Sequence, residues 1–252
     1  MKISVVTTVL NDAEGMRGLL ESLQDQEGPF EVVVVDAGST DGTTDVVRHA
    51  SQDLEVTLIE RPGPRGEGFH AAATHATGDI LAFIGADDRA EKGWLAALRR
   101  AFTDPNAAMV VGTNILEGDG PKMERVPWIV HGQDISHAGC NTSYRASVYH
   151  SLGGIDPTFV TAEDMELNLR AVRAGHRIQH APDAIVYRTV RAGGKVLKQA
   201  YWNGYGRGQL RGKHGNVPGM KRGVIRSLPQ PWNILRFIAG YFGYRKGRRS
   251  AA

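Results

Sequence analysis

The chain has 252 residues, enough to bury the core of one large α/β domain without disulfides. Its 30 basic and 27 acidic side chains leave a net charge of +3, which gives no reason to expect a nucleic-acid partner. The single cysteine, Cys140, excludes an internal disulfide and fits a reducing compartment such as the cytoplasm. The N-terminal segment is typical of a first strand and not of a signal peptide, and no apolar run approaches the ~18 residues that span a bilayer.

The first half of the chain alternates between segments typical of strands and segments typical of helices. Strands are predicted over 3–8, 30–35, 56–59 and 80–84, and helices over 11–23 (capped by Asn11 or Asp12), 43–50 and 68–76. This β-α-β-α order predicts an α/β fold with a doubly wound, mostly parallel, Rossmann-like sheet. Ligands bind beyond the carboxyl ends of the strands in such sheets, and Asp36 and the Asp87–Asp88 pair stand at two of these ends.

The second half is less regular. A helix over 93–102 and a strand over 108–114 precede residues 117–137, which are rich in glycine, proline and charge and predict a mobile loop. Helices are predicted over 163–174, over 195–210 with interruptions at glycines, and over 232–244. The last of these is apolar with basic flanks, so it could lie on a membrane interface or pack back onto the domain.

Three acidic stations could carry chemistry. Asp36 ends a buried run and could accept hydrogen bonds from a base or ribose, although aspartate is also a common turn former. Asp87 and Asp88 would repel each other unless a hard divalent cation joined them to a diphosphate, or unless the loop is simply solvated. Asp164 could act as a general base, but Thr161 and Asp164 also match a helix capping box.

Five segments of the chain form an ordered set that carries a family resemblance. They are SVVTTVLNDAEGMRGLLESLQDQ, VVVVDAGSTDGT, ATGDILAFIGADD, GGIDPTFVTAEDMELNLRAVRAGHRI and YWNGYGRG. Over roughly residues 2–210 the chain resembles glycosyltransferase family 2, particularly its succinoglycan- and exopolysaccharide-type members. The resemblance implies a GT-A fold and an inverting transferase that moves a sugar from a UDP-, GDP- or dTDP-sugar to a hydroxyl of a glycan or lipid-linked acceptor.

The resemblance also implies domain limits and roles for single residues. The GT-A domain would cover 1–215, with a nucleotide-binding half over about 1–115 and an acceptor-side half over about 116–215, followed by a basic amphipathic tail over 216–252. The implied roles are nucleotide binding by Thr8, Asp36, Arg65 and Asp87, Mn²⁺ or Mg²⁺ binding by Asp87 and Asp88, general base catalysis by Asp164, and a donor and acceptor loop with Glu163, Gly139, Asn141 and Arg207. The expected location is the cytoplasm, with contact to the inner face of its membrane through the tail left open.

The sequence departs from the family pattern at three places, one of which is Gly68-Phe69-His70, where many members have Ala-Arg-Asn before the fourth strand. Gly85 replaces the first aspartate of the D-x-D motif, which supports the alternative of a non-catalytic nucleotide- or carbohydrate-binding relative. Arg188 replaces a late histidine, so Arg188 or Arg207 could neutralise the diphosphate instead. A sugar-nucleotide nucleotidyltransferase and a Rossmann dehydrogenase are disfavoured, because residues 7–11 contain no glycine for a phosphate loop after the first strand.

Overall fold

The computed structural model describes residues 1–118, 127–190, 195–215, 217 and 231–250. The strands are β1 (Ile3–Val9), β2 (Phe30–Asp36), β3 (Val56–Glu60), β4 (Ile80–Phe83), β5 (Asp88–Ala90), β6 (Met109–Glu117), β7 (Ile129–Val130), β8 (Gln133–Asp134), β9 (Thr142–Arg145) and β10 (Ile178–Thr189). The helices are α1 (Ala13–Gln24), α2 (Thr43–Ala50), α3 (Arg65–His75), α4 (Trp94–Ala101), α5 (Ala146–Ser151), α6 (Glu163–Arg173), α7 (Lys195–His214) and α8 (Pro231–Ser250).

Eight strands form one mixed sheet in the order β3-β2-β1-β4-β9-β6-β10-β5. The strands β3, β2, β1 and β4 are parallel, as predicted, whereas β9 runs antiparallel between β4 and β6 and β5 pairs antiparallel with β10. One apolar cluster packs α1, α2 and α4 against one face of the sheet, and a second packs α3 and α5 against the other. Because both faces are covered, the parallel strands β1, β2 and β4 are mostly apolar.

Strands β9 and β10 of the eight-stranded sheet have no counterpart in the sequence prediction. The strand β9 is short and mostly polar, but its backbone pairs with β4 and β6 on both sides. The strand β10 carries a register shift between Ala181 and Ile185, which breaks the period-2 pattern on which strand prediction depends. The predicted loop over 117–137 lies partly outside the described residues; its later part forms the β7–β8 hairpin, with Trp128 and Ile135 buried.

The two C-terminal helices differ from their prediction. The helix α7 is continuous through the glycines that were expected to interrupt it. A side chain on Gly204 or Gly208 would overlap the backbone of α8, so these glycines allow two helices to pack closely. Residues 216, 218–230, 251 and 252 of the predicted tail lie outside the described part. Within the described ranges, no helix has the length and apolarity that crossing a membrane requires.

Candidate active site

Asp36 lies at the carboxyl end of β2, where only 1% of the residue is exposed. Its Oδ1 accepts hydrogen bonds from the backbone amides of Gly38 and Ser39, at 2.9 and 2.8 Å. Its Oδ2 is buried and has no hydrogen-bond partner within the described part of the chain. A buried carboxylate oxygen without a partner is costly, so a donor N–H or O–H from a ligand would stabilise it.

Thr8 lies close to Asp36 at the carboxyl edge of the sheet, and Arg65 lies at the start of α3, which packs on β1 and β2. Thr8 is half-buried near the end of β1, where α3 approaches so closely that a Cβ on Gly68 would lie 2.5 Å from the Thr8 hydroxyl. Arg65 begins α3, and its guanidinium lies 5.2 Å from the ring centre of Phe69. Its Nε forms an ion pair with the buried Glu163 at 3.2 Å. Arg65 therefore connects the start of α3 to the start of α6.

The Asp87–Asp88 pair divides into one exposed and one buried carboxylate. Asp88 is 1% exposed; its Oδ1 accepts from Arg188 Nε at 2.9 Å, and its Oδ2 accepts from the Gly85 amide at 3.0 Å. Burial raises the pKa of Asp88, although Arg188 opposes the increase. A Cβ on Gly85 would lie 2.6 Å from Asp88 Oδ2, so the Asp88 carboxylate occupies the space next to the glycine that departs from the D-x-D pattern.

The two predicted metal ligands, Asp87 and Asp88, differ in how well they could bind a metal ion. Because both oxygens of Asp88 already accept from protein donors, it is a poor candidate, and exposed Asp87 is the better one. Across the described residues, no group of three or more His, Cys, Asp or Glu side chains could hold a metal by itself. Mg²⁺ or Mn²⁺ beside a diphosphate needs only one or two protein carboxylates, because phosphates and water complete its shell. Asp87 therefore fits a metal that arrives with the nucleotide.

Asp164 lies in the first turn of α6 and is half-buried. The capping-box interpretation is wrong: the N-cap is Ala162, whose φ of 64° is left-handed, and no side chain caps the helix. Instead, Asp164 Oδ2 accepts from the backbone amide of Gly139 at 2.6 Å. Within the described residues Asp164 forms no salt bridge, unlike Glu163, which Arg65 pairs. Burial raises the pKa of Glu163, and Arg65 opposes this increase.

Residues 139–141 lie among the charged side chains of Asp88, Arg188, Arg65 and Asp164. The three residues differ in how exposed they are. Gly139 contacts Asp164 through its backbone amide. Asn141 is 1% exposed; it donates to the carbonyls of Thr113 and Ala184 and accepts from Trp94, so its side chain belongs to the core and cannot contact donor or acceptor as predicted. Burial raises the pKa of the Cys140 thiol to about 12, which agrees with a packing role rather than a nucleophilic one.

Arg207 lies on α7, beside Gly206, whose Cβ position abuts Thr161 and Ala162. It is half-buried, and within the described part no carboxylate pairs with it. Burial lowers the pKa of Arg207, because no nearby acid offsets the loss of water. A guanidinium in this environment is suited to an anionic ligand.

Asn168 is a residue of the site that the sequence analysis did not single out. It is fully buried one turn after Asp164, and its Nδ2 donates to the carbonyls of Ile135 and His137 at 3.0 and 3.1 Å. Asp164 and Asn168 therefore hold the segment that leads to Gly139 from one face of α6. The i, i+4 spacing of two polar residues after a predicted N-terminus is the only sequence signal that could have suggested this pairing.

Comparison with known sequences places these residues in a family. Residues 4–155 match Glycosyl transferase family 2, and residues 80–239 match Glycosyl transferase family group 2. The pre-mycofactocin glycosyltransferase of Mycobacterium tuberculosis is 29% identical over 73% of this chain, which spans only 42% of that relative's length. The succinoglycan biosynthesis protein ExoA of Rhizobium meliloti is 28% identical over 86% of this chain and 72% of its own.

Solved structures confirm the GT-A fold that the sequence predicted. TarS of S. aureus superimposes with a TM-score of 0.66 at 24% identity, over 86% of this chain and 40% of its own. The mannosyltransferase PcManGT of Pyrobaculum calidifontis, solved with GDP-Man and Mn²⁺, gives a TM-score of 0.67 at 22% identity, over 98% of this chain and 73% of its own. At these identities the likeness establishes the fold alone.

Proposed function

The chain belongs to glycosyl transferase family 2, and on this premise we propose that it transfers a sugar from a nucleotide diphospho-sugar to an acceptor hydroxyl with inversion. The observation that carries the proposal is the pairing of charges around Cys140. Arg188 pairs with Asp88 and Arg65 pairs with Glu163, whereas Asp164 at the edge of the site forms no salt bridge within the described residues and interacts with Arg65 only at longer range. An unpaired, half-exposed carboxylate is the group best suited to accept a proton.

The donor would bind along the carboxyl edge of the parallel strands, within a nucleotide-binding half over about 1–115. We assign the base and ribose to Thr8 and to Asp36, whose Oδ2 lacks a donor. The nucleotides of the solved relatives, UDP-GlcNAc in TarS and GDP-Man in PcManGT, support a UDP-, GDP- or dTDP-sugar as the class of donor. The diphosphate would lie between Asp87 and the arginines Arg65 and Arg207, which supply charge-assisted hydrogen bonds.

Asp87 would hold Mn²⁺ or Mg²⁺, which when bound supplies Lewis-acid stabilisation of the leaving diphosphate. Arg188 opposes the increase that burial causes in the pKa of Asp88 and holds this carboxylate in place next to Asp87. The Gly139 amide orients Asp164 by donating to Oδ2, and the Met165 amide donates to Oδ1 at 2.7 Å. The second lone pair of Oδ1 on this half-exposed carboxylate would take the proton from the acceptor hydroxyl. Attack from the face opposite the diphosphate inverts the anomeric centre.

The acceptor would bind in the acceptor-side half over about 116–215, next to Gly139, Glu163 and Asp164. We propose a glycan or lipid-linked glycan as the acceptor class, because ExoA and several other relatives are named for polysaccharide biosynthesis. The proposed place of action is the cytoplasm, at the inner face of its membrane.

Two measurements test the proposal. Thermal shift with UDP, GDP and dTDP, with and without Mn²⁺, should identify one stabilising nucleotide. Hydrolysis of the matching sugar nucleotide should then be slower in Asp164→Asn by ~10²–10⁴-fold, because the general base is lost. Near-full turnover by that variant would reject Asp164 as the base. Nucleotide binding without any turnover in the wild type would favour the non-catalytic relative instead.

A further inference from the structure

The helix α8 packs on α7 through its small residues. Cβ atoms on Gly243 and Gly247 would overlap the backbones of Tyr201 and Tyr205, so glycine is what allows this close contact. The closest contacts between the two helices join glycines of one helix to the backbone of the other. The inward face of α8 is therefore already used, and its large apolar residues face elsewhere.

The outward face of α8 carries six large apolar side chains, each at least 43% exposed. They are Ile234, Leu235, Phe237, Ile238, Tyr241 and Phe242. Single exposed apolar residues are ordinary on protein surfaces, but several on one helix face mark a site of interaction. We call these six residues the α8 apolar face.

A strongly basic segment continues from the α8 apolar face. Arg245, Lys246, Arg248 and Arg249 are all exposed in the last two turns of α8. Neither α7 nor α8 contains a single aspartate or glutamate. The surface therefore combines apolar area with unopposed positive charge, and its matching partner is apolar and anionic.

We propose that the α8 apolar face and its basic end dock onto the interface of an anionic lipid bilayer. Apolar side chains of an interfacial helix lie at the boundary of headgroups and acyl chains, while lysine and arginine meet the lipid phosphates. A second copy of this chain is the weaker candidate, since the same face offers no acidic group to the basic segment.

The position of α7 links this surface to the proposed chemistry. One side of α7 packs on α8, while Gly206 packs on Thr161 and Ala162, directly before Glu163 and Asp164. Docking would therefore bring the base-bearing end of α6 towards the bilayer. This step, which rests on the proposed function, makes a lipid-linked acceptor the substrate class that the site would meet.

Co-sedimentation of the full chain with vesicles tests the docking without any nucleotide. The probes are vesicles of phosphatidylcholine alone and of phosphatidylcholine with phosphatidylglycerol. The matched pair is Ile234→Ser and Ile129→Ser, because these isoleucines are 53% and 49% exposed and only the first lies on α8. We expect Ile234→Ser to weaken binding to anionic vesicles by at least about tenfold, and Ile129→Ser to leave it unchanged.

The contribution of the basic residues of α8 is tested by a separate variant and by added salt. Lys246→Gln with Arg249→Gln should weaken binding by on the order of 25-fold, and added salt should weaken the wild type in the same direction. Equal and negligible pelleting of all proteins with both kinds of vesicle would overturn the proposal. The proposal would also be overturned if sedimentation velocity showed a wild-type dimer that the Ile234→Ser substitution dissociates. Nucleotide binding by the same preparations, followed by thermal shift, separates a failure of docking from a failure of the proposed function.

Discussion

Replacing Asp36 by asparagine should separate ligand binding from folding. The two oxygens of Asp36 have different tasks, since Oδ1 accepts from two backbone amides and Oδ2 has no partner in the described structure. In Asp36→Asn the amide oxygen would keep the backbone contacts, which leaves the Nδ2 group at the position of Oδ2. The Nδ2 group, a hydrogen-bond donor, would then face the N–H or O–H group of the ligand.

The expected loss follows from one charge-assisted hydrogen bond. Such a bond contributes about 1.5–3 kcal/mol, so nucleotide affinity should fall by about 10–150-fold. The unliganded variant should unfold at nearly the wild-type temperature, because burial of an unpaired carboxylate oxygen is relieved while the backbone bonds weaken.

Calorimetric titration with the stabilising nucleotide would measure the loss in affinity. Asp45→Asn is the matched control, since this carboxylate is 82% exposed on α2 and its one ion pair within the described residues is with Arg48 on the same helix. Wild-type affinity in Asp36→Asn, or an equal loss in the control, would refute the assignment of Oδ2 to the ligand.

Four further substitutions test the framework of the site. Burial alone would raise the pKa of Glu31, but the hydrogen bonds that Glu31 accepts lower it below its usual value. The ionised Glu31 therefore stabilises the fold at pH values above its unfolded pKa, and this stabilisation is lost as the pH falls through its folded pKa. Glu31→Gln should cost about 1.5–3 kcal/mol in urea unfolding at neutral pH and flatten the acid side of the stability profile. Gly18→Ala should stabilise α1 by up to about 1 kcal/mol, because a Cβ fits at Gly18 without a clash. Gly243→Ala should expose α8 to limited proteolysis, because a Cβ there would overlap the backbone of Tyr201. Asn168→Asp should lower turnover while nucleotide binding persists; unchanged turnover would contradict its positioning role.

The first half of the fold could be read from the chain because its signals are local. Strands covered on both faces are continuous apolar runs, and Asp12 caps α1 from its own first turn. Asp36 follows from the same logic, since a carboxylate that ends a buried parallel strand must lie at the ligand edge of the sheet. The order of the motifs was sufficient for the family.

The identity of the unpaired carboxylate needed the tertiary structure. Asp88 and Arg188 are 100 residues apart and meet only because β5 and β10 pair in register. Asn141 resembles a loop residue in sequence, yet contacts from three other segments place it in the core. The continuity of α7 likewise depends on α8, because packing against another helix outweighs the low helix propensity of glycine. Local patterns therefore determined which side chains reach the edge of the sheet, whereas long-range pairing decided which of them remain available to a ligand.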